Sequence, residues 1–226
     1  MITCIPERKP PAMIWNLPNT LTWLRIFAIP LVIMLFYLPY PWADPAAGLL
    51  FALAGITDSL DGYLARRMGQ TSRLGAFLDP VADKLIVAVA LVLLVSKEMP
   101  PILVPGLEGL DGGRYTLRAE SVRAILVLCS VIIIGREIAI SALREWMAEI
   151  GKRGKVKVSG MGKLKTILQI VGLSCMLFRW NLPILPGFSL PIFEIGLVLT
   201  VVAAVLTLVS AISYLRAAWP DLKGHS

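Results

Sequence analysis

The chain has 226 residues, 57% of them hydrophobic and only 16% charged, with a mean hydropathy of +0.75. A soluble domain of this size cannot hide so much apolar surface in one core. The one histidine, His225, sits next to the C-terminus and excludes histidine triads and histidine metal sites. The widely spaced Cys4, Cys129 and Cys175 suggest neither a zinc cluster nor a disulfide framework. A net charge of +7 in so apolar a chain points to loops facing anionic lipid rather than to nucleic acid.

Apolar stretches recur six times, at about Leu21–Leu38, Ala46–Ala65, Ala76–Ser96, Ser121–Leu143, Leu164–Phe178 and Leu190–Leu215. A spanning helix takes about 20 residues, so six of them use roughly half of the chain. The expectation is an all-α integral membrane protein with six transmembrane helices. It forms a single domain over residues 1–226, with a short juxtamembrane segment at about 1–19. Pro39-Tyr-Pro41, Pro183–Pro186 and the long segment Met99–Glu120 read as breaks and loops.

The cations set the expected topology. One side collects Arg8, Lys9, Arg66, Arg67, Arg73, Arg144, Lys152, Arg153, Lys155, Lys157, Lys163, Lys165, Arg216 and Lys223. The other has Lys97, Arg114, Arg118, Arg123 and Arg179, and Arg25, Lys84 and Arg136 fall at membrane depth. By the positive-inside rule both termini are cytoplasmic. Trp15, Trp23, Trp42, Trp146, Trp180 and Trp219 fall near span ends, as an aromatic belt does.

The second and third stretches carry the informative residues, Asp58, Asp61, Asp79 and Asp83. Ala46–Ile56 and Leu85–Val95 are only 11 residues each, too short to span a bilayer that needs about 20. Both helices therefore continue through their acidic residues and bring four carboxylates to the membrane interface. Asp58 and Asp61 are spaced i,i+3 and Asp79 and Asp83 i,i+4, so each pair shares a helical face. The two spans are expected as antiparallel neighbours whose acidic faces meet. Clustered carboxylates repel one another unless positive charge sits among them. Oxygen-only ligands select hard cations such as Mg²⁺ or Mn²⁺, and four carboxylates suffice for two ions, an arrangement suited to phosphoryl chemistry. The small residues Gly62, Ala65 and Gly75 leave room between the helices for a base or a diphosphate, and Arg66 ends the second span. Pro80, directly after Asp79, is expected in a first helical turn, where its missing N–H costs little.

Written out, the segment from Asp58 to Asp83 reads D-x2-D-G-x2-A-R-x8-G-x3-D-x3-D. It resembles the signature of the CDP-alcohol phosphotransferases. Residues 16–25 (NLPNTLTWLR), 136–146 (REIAISALREW) and 154–166 (GKVKVSGMGKLKT) are similar to bacterial members that use glycerol 3-phosphate as acceptor. The resemblance covers most of residues 14–215; the N-terminal dozen residues and Met99–Glu120 depart from it.

The resemblance implies a homodimeric enzyme of the bacterial inner membrane with its site facing the cytoplasm. Its reaction would join CDP-diacylglycerol and glycerol 3-phosphate, giving phosphatidylglycerophosphate and CMP. Asp58, Asp61 and Asp79 would be metal ligands; Asp83 would be the base, also touching a metal. Asp61, Gly62, Ala65, Arg66 and Gly75 would line the CDP pocket. Thr22 and Arg25, with Asn19, are placed to contact the donor's diphosphate, with snorkelling of Arg25 to lipid phosphate as the alternative. An acceptor bearing its own phosphate needs fixed cations, and Arg136 at membrane depth needs an anionic partner. Arg136, Arg144, Lys163, Lys165 and Ser141 are the candidates; pairing of Arg136 with Glu137 is the structural alternative. Lys152, Arg153, Lys155 and Lys157 read as positive-inside charge. The competing functions are the same chemistry on inositol phosphate, serine or phosphatidylglycerol, and a divalent-cation transporter.

Overall fold

The computed structural model describes residues 17–68, 73–100, 102–108, 114–151, 160–185 and 188–223. They form six helices: α1 (Leu17–Tyr37), α2 (Ala43–Met68), α3 (Arg73–Ser96), α4 (Ala119–Glu149), α5 (Gly160–Phe178) and α6 (Ile192–Lys223). Each covers one expected apolar stretch. α4 and α6, of 31 and 32 residues, are long and apolar enough to cross a bilayer.

Two segments read as loops are antiparallel β-hairpins. β1 (Ile102–Glu108) pairs with β2 (Arg114–Leu117), and β3 (Leu182–Leu185) with β4 (Phe188–Leu190). Both registers shift along their length. Each hairpin satisfies its own backbone between two helices, so its short prolyl strands carry no long alternation for a sequence reading to catch.

Contacts at the hairpin end tie five helix termini together. Lys97 Nζ, past the end of α3, donates to Asp44 Oδ1 of α2 at 2.6 Å and lies 4.7 Å from the centre of the Phe36 ring of α1. Arg123 of α4 donates to the Lys97 carbonyl at 3.5 Å, and Arg179, just past α5, donates to the Glu98 carbonyl at 2.5 Å. Arg179 takes a left-handed backbone with φ 57° where α5 stops. Its burial pushes the guanidinium down from its ordinary value, and the Asp44 charge pulls it back up.

Helices that share lipid as solvent gain little from mutual apolar burial and associate through close packing of small residues. A Cβ on Gly48 of α2 would sit 2.7 Å from the Phe178 amide nitrogen and 2.8 Å from the Ser174 carbonyl oxygen of α5. Gly172 of α5 and Gly196 of α6 face each other: a Cβ on Gly196 would lie 2.7 Å from the Gly172 carbonyl oxygen. Glycines thus draw α2 onto α5 and α5 onto α6. The large side chains Phe36, Phe51, Leu94, Leu126, Leu173 and Met176 fill the space between helices, while Phe27, Leu128, Val131 and Val198 are exposed on the outside. A smaller cluster of Ile140, Met147, Tyr214 and Ala218 joins the far ends of α4 and α6.

One expectation needs correction. α3 begins at Arg73, so Pro80 lies well inside the helix rather than in its first turn. A proline there cannot donate to the carbonyl four residues back, that of Ala76. Among the described residues α2 packs mainly on α1 and α5, whereas α3 packs mainly on α1 and α4, and a cavity lies between α2 around Phe51–Gly55 and the middle of α3. The side chains of Asp58, Asp61 and Asp79, where the acidic faces of the two helices are expected to meet, lie outside the described residues.

Gly48→Ala is expected to lower the midpoint of thermal unfolding in detergent, at a cost of about 1–3 kcal/mol for overpacking. Gly135→Ala, where an added Cβ meets nothing within 4 Å, is expected to hold or raise the midpoint, since alanine favours a helix by about 1 kcal/mol. Equal behaviour of the two variants would contradict the close-packing account.

Candidate active site

A cavity of about 570 Å³ opens among α1, α2, α3, α4 and α5. Phe51, Ala54 and Gly55 of α2 form one wall, Val81 and Asp83–Ala88 of α3 another, and Ile133–Ile134 of α4 with Ile170 of α5 close it. Its polar groups are Arg25, Asp83, Lys84, Glu137, Thr166 and Gln169, all toward the end opposite the hairpins. Val81, Leu85 and Ile138 line it and are also exposed by 47%, 47% and 65%. The cavity is therefore open sideways, on the flank of α3 and α4.

Asp83 sits on the rim of this cavity. The Arg25 guanidinium of α1 donates to its Oδ1 at 2.5 Å. Arg25 is only 2% exposed in its side chain and Asp83 40%. Arg25 is thus buried against the protein rather than snorkelling into lipid, and Thr22, one turn earlier, is buried as well. The next residue, Lys84, turns about 100° around α3 and donates to the Ser141 hydroxyl of α4. Ser141 accepts through oxygen and keeps its own proton for a further acceptor.

The second polar group lies across the cavity. Arg136 of α4 donates to Glu137 Oε1 at 2.5 Å, and Lys165 of α5 donates to the same oxygen at 3.4 Å. Arg136 also reaches Ser210 of α6 at 3.5 Å, and its guanidinium lies 5.7 Å from the centre of the Tyr214 ring. Arg144 lies over the same ring at 5.5 Å. The side chains of Arg136 and Lys165 are 9% and 5% exposed. Arg136 Nε is buried with no hydrogen-bond partner among the described residues. Two cations therefore hold one carboxylate, with Arg144 close by over the Tyr214 ring, an arrangement whose excess positive charge suits an anion.

Of the residues expected at the site, Thr22, Arg25, Asp83, Arg136, Ser141, Arg144 and Lys165 have described side chains. Arg136, Arg144 and Lys165 come together around Glu137 and Tyr214, whereas Ser141 is engaged by Lys84. The side chains of Asp58, Asp61, Gly62, Ala65, Arg66, Gly75, Asp79 and Lys163 lie outside the described residues, although their backbones belong to α2, α3 and α5. Among the described residues no group of three metal-ligating side chains occurs. The pairing of Arg136 with Glu137, weighed beforehand as a structural alternative, is present. Lys84 was left without a role, yet a lysine beside Asp83 within an apolar run was signal enough to ask what it meets. Ser210 and Tyr214 carried no such signal, because nothing local in α6 distinguishes them from packing residues.

A family model of the CDP-alcohol phosphatidyltransferases matches residues 15–212. Relatives named CDP-diacylglycerol–glycerol-3-phosphate 3-phosphatidyltransferase in Escherichia coli (strain K12), Shigella flexneri and Salmonella typhimurium are each 44% identical over 210 residues. Those residues are 93% of this chain and 98% of theirs.

Removing either partner of the Arg25–Asp83 pair is expected to destabilise the bundle. A double-mutant cycle with Arg25→Gln and Asp83→Asn, read by thermal unfolding, should give a coupling energy of about 1–2 kcal/mol for a half-buried ion pair. Strictly additive losses would show that the contact ties nothing.

Proposed function

The chain belongs to the CDP-alcohol phosphatidyltransferase family, and from that premise we propose that it transfers the phosphatidyl group of CDP-diacylglycerol to sn-glycerol 3-phosphate. The products are phosphatidylglycerophosphate and CMP. The observation that carries this reading is the cavity: Asp83 lines it from α3, Glu137 lines it from α4 with the cations Arg136 and Lys165 held behind it, and the side is open and apolar. A lipid donor needs an opening for its chains, and a phosphorylated acceptor needs fixed cations. The full-length similarity to enzymes bearing that name supports the same reading.

The residues fit a hard divalent cation, because the sequence offers oxygen donors alone, two carboxylates on α2 and two on α3. Asp58, Asp61 and Asp79, with Asp83 at the edge, would hold Mg²⁺ or Mn²⁺, two ions in all. Such ions neutralise a diphosphate and stabilise the departing CMP. The chain's own residues do the rest. Asp83 accepts the proton of the attacking acceptor hydroxyl, and Arg25 fixes the position of its carboxylate. Gly62, Ala65, Arg66 and Gly75 take the CDP moiety, with Asp61, Thr22 and Arg25 alongside. Arg136, Arg144, Lys163 and Lys165 hold the acceptor's phosphate, and Ser141 donates to it. Holding the hydroxyl beside Asp83 while the phosphate is anchored across the cavity makes the displacement effectively intramolecular.

All six helices span the inner membrane in this reading, with both termini and the polar end of the cavity on the cytoplasmic side. The charge asymmetry of the loops supports that orientation. Soluble glycerol 3-phosphate then enters from the cytoplasm and the donor slides in from the leaflet.

Purified protein with CDP-diacylglycerol and Mg²⁺ should release CMP only when glycerol 3-phosphate is added. Release with serine, inositol phosphate or phosphatidylglycerol instead would reassign the acceptor. Chelation should stop the release and added Mg²⁺ or Mn²⁺ restore it. Asp83→Asn should lower turnover by about 10²–10⁴-fold, as loss of a positioned base does, while CDP-diacylglycerol still binds; parental turnover would remove Asp83 from the role of base.

A further inference from the structure

Glu137 lines the cavity, whereas Arg136 and Lys165, the two cations it holds, stand behind it and do not. An anion arriving through the cavity meets this carboxylate before it meets the cations. The contact has the marks of one that can be exchanged. Adjacent residues on a helix point about 100° apart and do not face each other, so Arg136 and Glu137 meet by bending toward one another. They touch through Nη1 and Oε1, and Lys165 uses the same oxygen from 3.4 Å. A bidentate fork, the strong form of such a pair, is not made. Glu137 is also the most exposed member, at 32% of its side chain against 9% for Arg136 and 5% for Lys165. Meanwhile Arg136 Nε remains buried without an acceptor among the described residues.

We propose that Glu137 is a specificity-determining placeholder: its carboxylate occupies the anion position beside Arg136 and Lys165 in the empty enzyme, and the acceptor's phosphate displaces it. The proposal rests on reading the Arg136 cluster as the acceptor-phosphate site. A carboxylate brings one negative charge and two oxygens. A phosphomonoester brings about 1.5 to 2 charges and three acceptor oxygens, enough to engage Arg136 Nη1, the vacant Nε and Lys165 together. A monoanion gains little by the exchange, and a neutral hydroxyl compound gains nothing. Glu137 thus keeps the buried cations compensated between turnovers and sets a threshold of charge that an acceptor must exceed.

The test uses the full chain in detergent, with CMP release followed against glycerol 3-phosphate and with inorganic phosphate as competing ligand. In Glu137→Gln, inorganic phosphate should inhibit on the order of tenfold more tightly, the effect of removing one like charge from a half-buried anion site. Its unfolding midpoint without phosphate should fall, and added phosphate should raise it further than in the parent. A purely structural pair would lower the midpoint but leave the phosphate response as in the parent, and that result overturns the proposal. Arg136→Gln separates the two readings. An unchanged KM for glycerol 3-phosphate in that variant would defeat the site assignment and the placeholder with it. A raised KM there, with no tightening of phosphate in Glu137→Gln, would defeat the placeholder alone. Should Glu137→Gln fail to fold, Glu137→Asp, one methylene shorter, gives the same comparison: tighter phosphate supports the proposal and unchanged or weaker phosphate overturns it.

Discussion

Charge at membrane depth must be matched by a partner on another helix, and in this protein that requirement fixes how the bundle is put together. A lone ionised group in hydrocarbon costs several kcal/mol, more than any one helix contact supplies. α3 meets the requirement with two consecutive residues. Asp83 turns to Arg25 of α1, and Lys84, one position on, turns to Ser141 of α4. A slip of α3 by a single residue would break both contacts at once. The hairpin end repeats the device, with Lys97 joined to Asp44 of α2 and to the Phe36 ring of α1.

Those ties explain why the interior stands open. Glycines at 48, 172 and 196 let α2, α5 and α6 approach backbone to backbone. α3 and α4 are joined to the rest by long polar side chains as well as by apolar contacts. Long side chains bridge a gap that backbones do not close. The result is a bundle tight on the α2–α5–α6 side and spaced on the α3–α4 side, where Val81, Leu85 and Ile138 border both cavity and exterior.

The six helices were legible in the sequence because each is a long apolar run ended by proline, glycine or charge, and none depends on a distant partner for its existence. What the sequence left unread depends on such partners. The segments around Pro105 and Pro183 form hairpins by pairing with residues several positions away, and their short strands show no period. Pro80 looked like a helix start because proline favours first turns, yet α3 extends back to Arg73. The close approach of α2 to α5 through Gly48 and Gly55 was also unread, because glycine records closeness without naming the neighbour. The acidic spacing from Asp58 to Asp83 could be read as an expectation because it is local, and of its four carboxylates only Asp83 is among the described side chains. The grouping of Arg136 with Lys165 was anticipated from their charge, but the part that Ser210 and Tyr214 of α6 take in it was not.

In the proposed function the carboxylates of α2 and α3 and the cations about Glu137 serve different substrates, and that division has a chemical consequence. Were the two sets adjacent, the arginines would pair with the aspartates and neither would be open to a ligand. Among the described residues Asp83 and the Arg136 cluster each hold a group of opposite sign: Arg25 against Asp83, and Glu137 against Arg136 and Lys165. These two groups hold the charge imbalance of each set to what the bundle tolerates when nothing is bound. In the proposed function, cations would bind beside Asp83 and an anion beside Arg136. A reaction that brings a metal-bound diphosphate and a phosphorylated alcohol together needs this polarity, because two anionic substrates approach only where each meets its own positive charge.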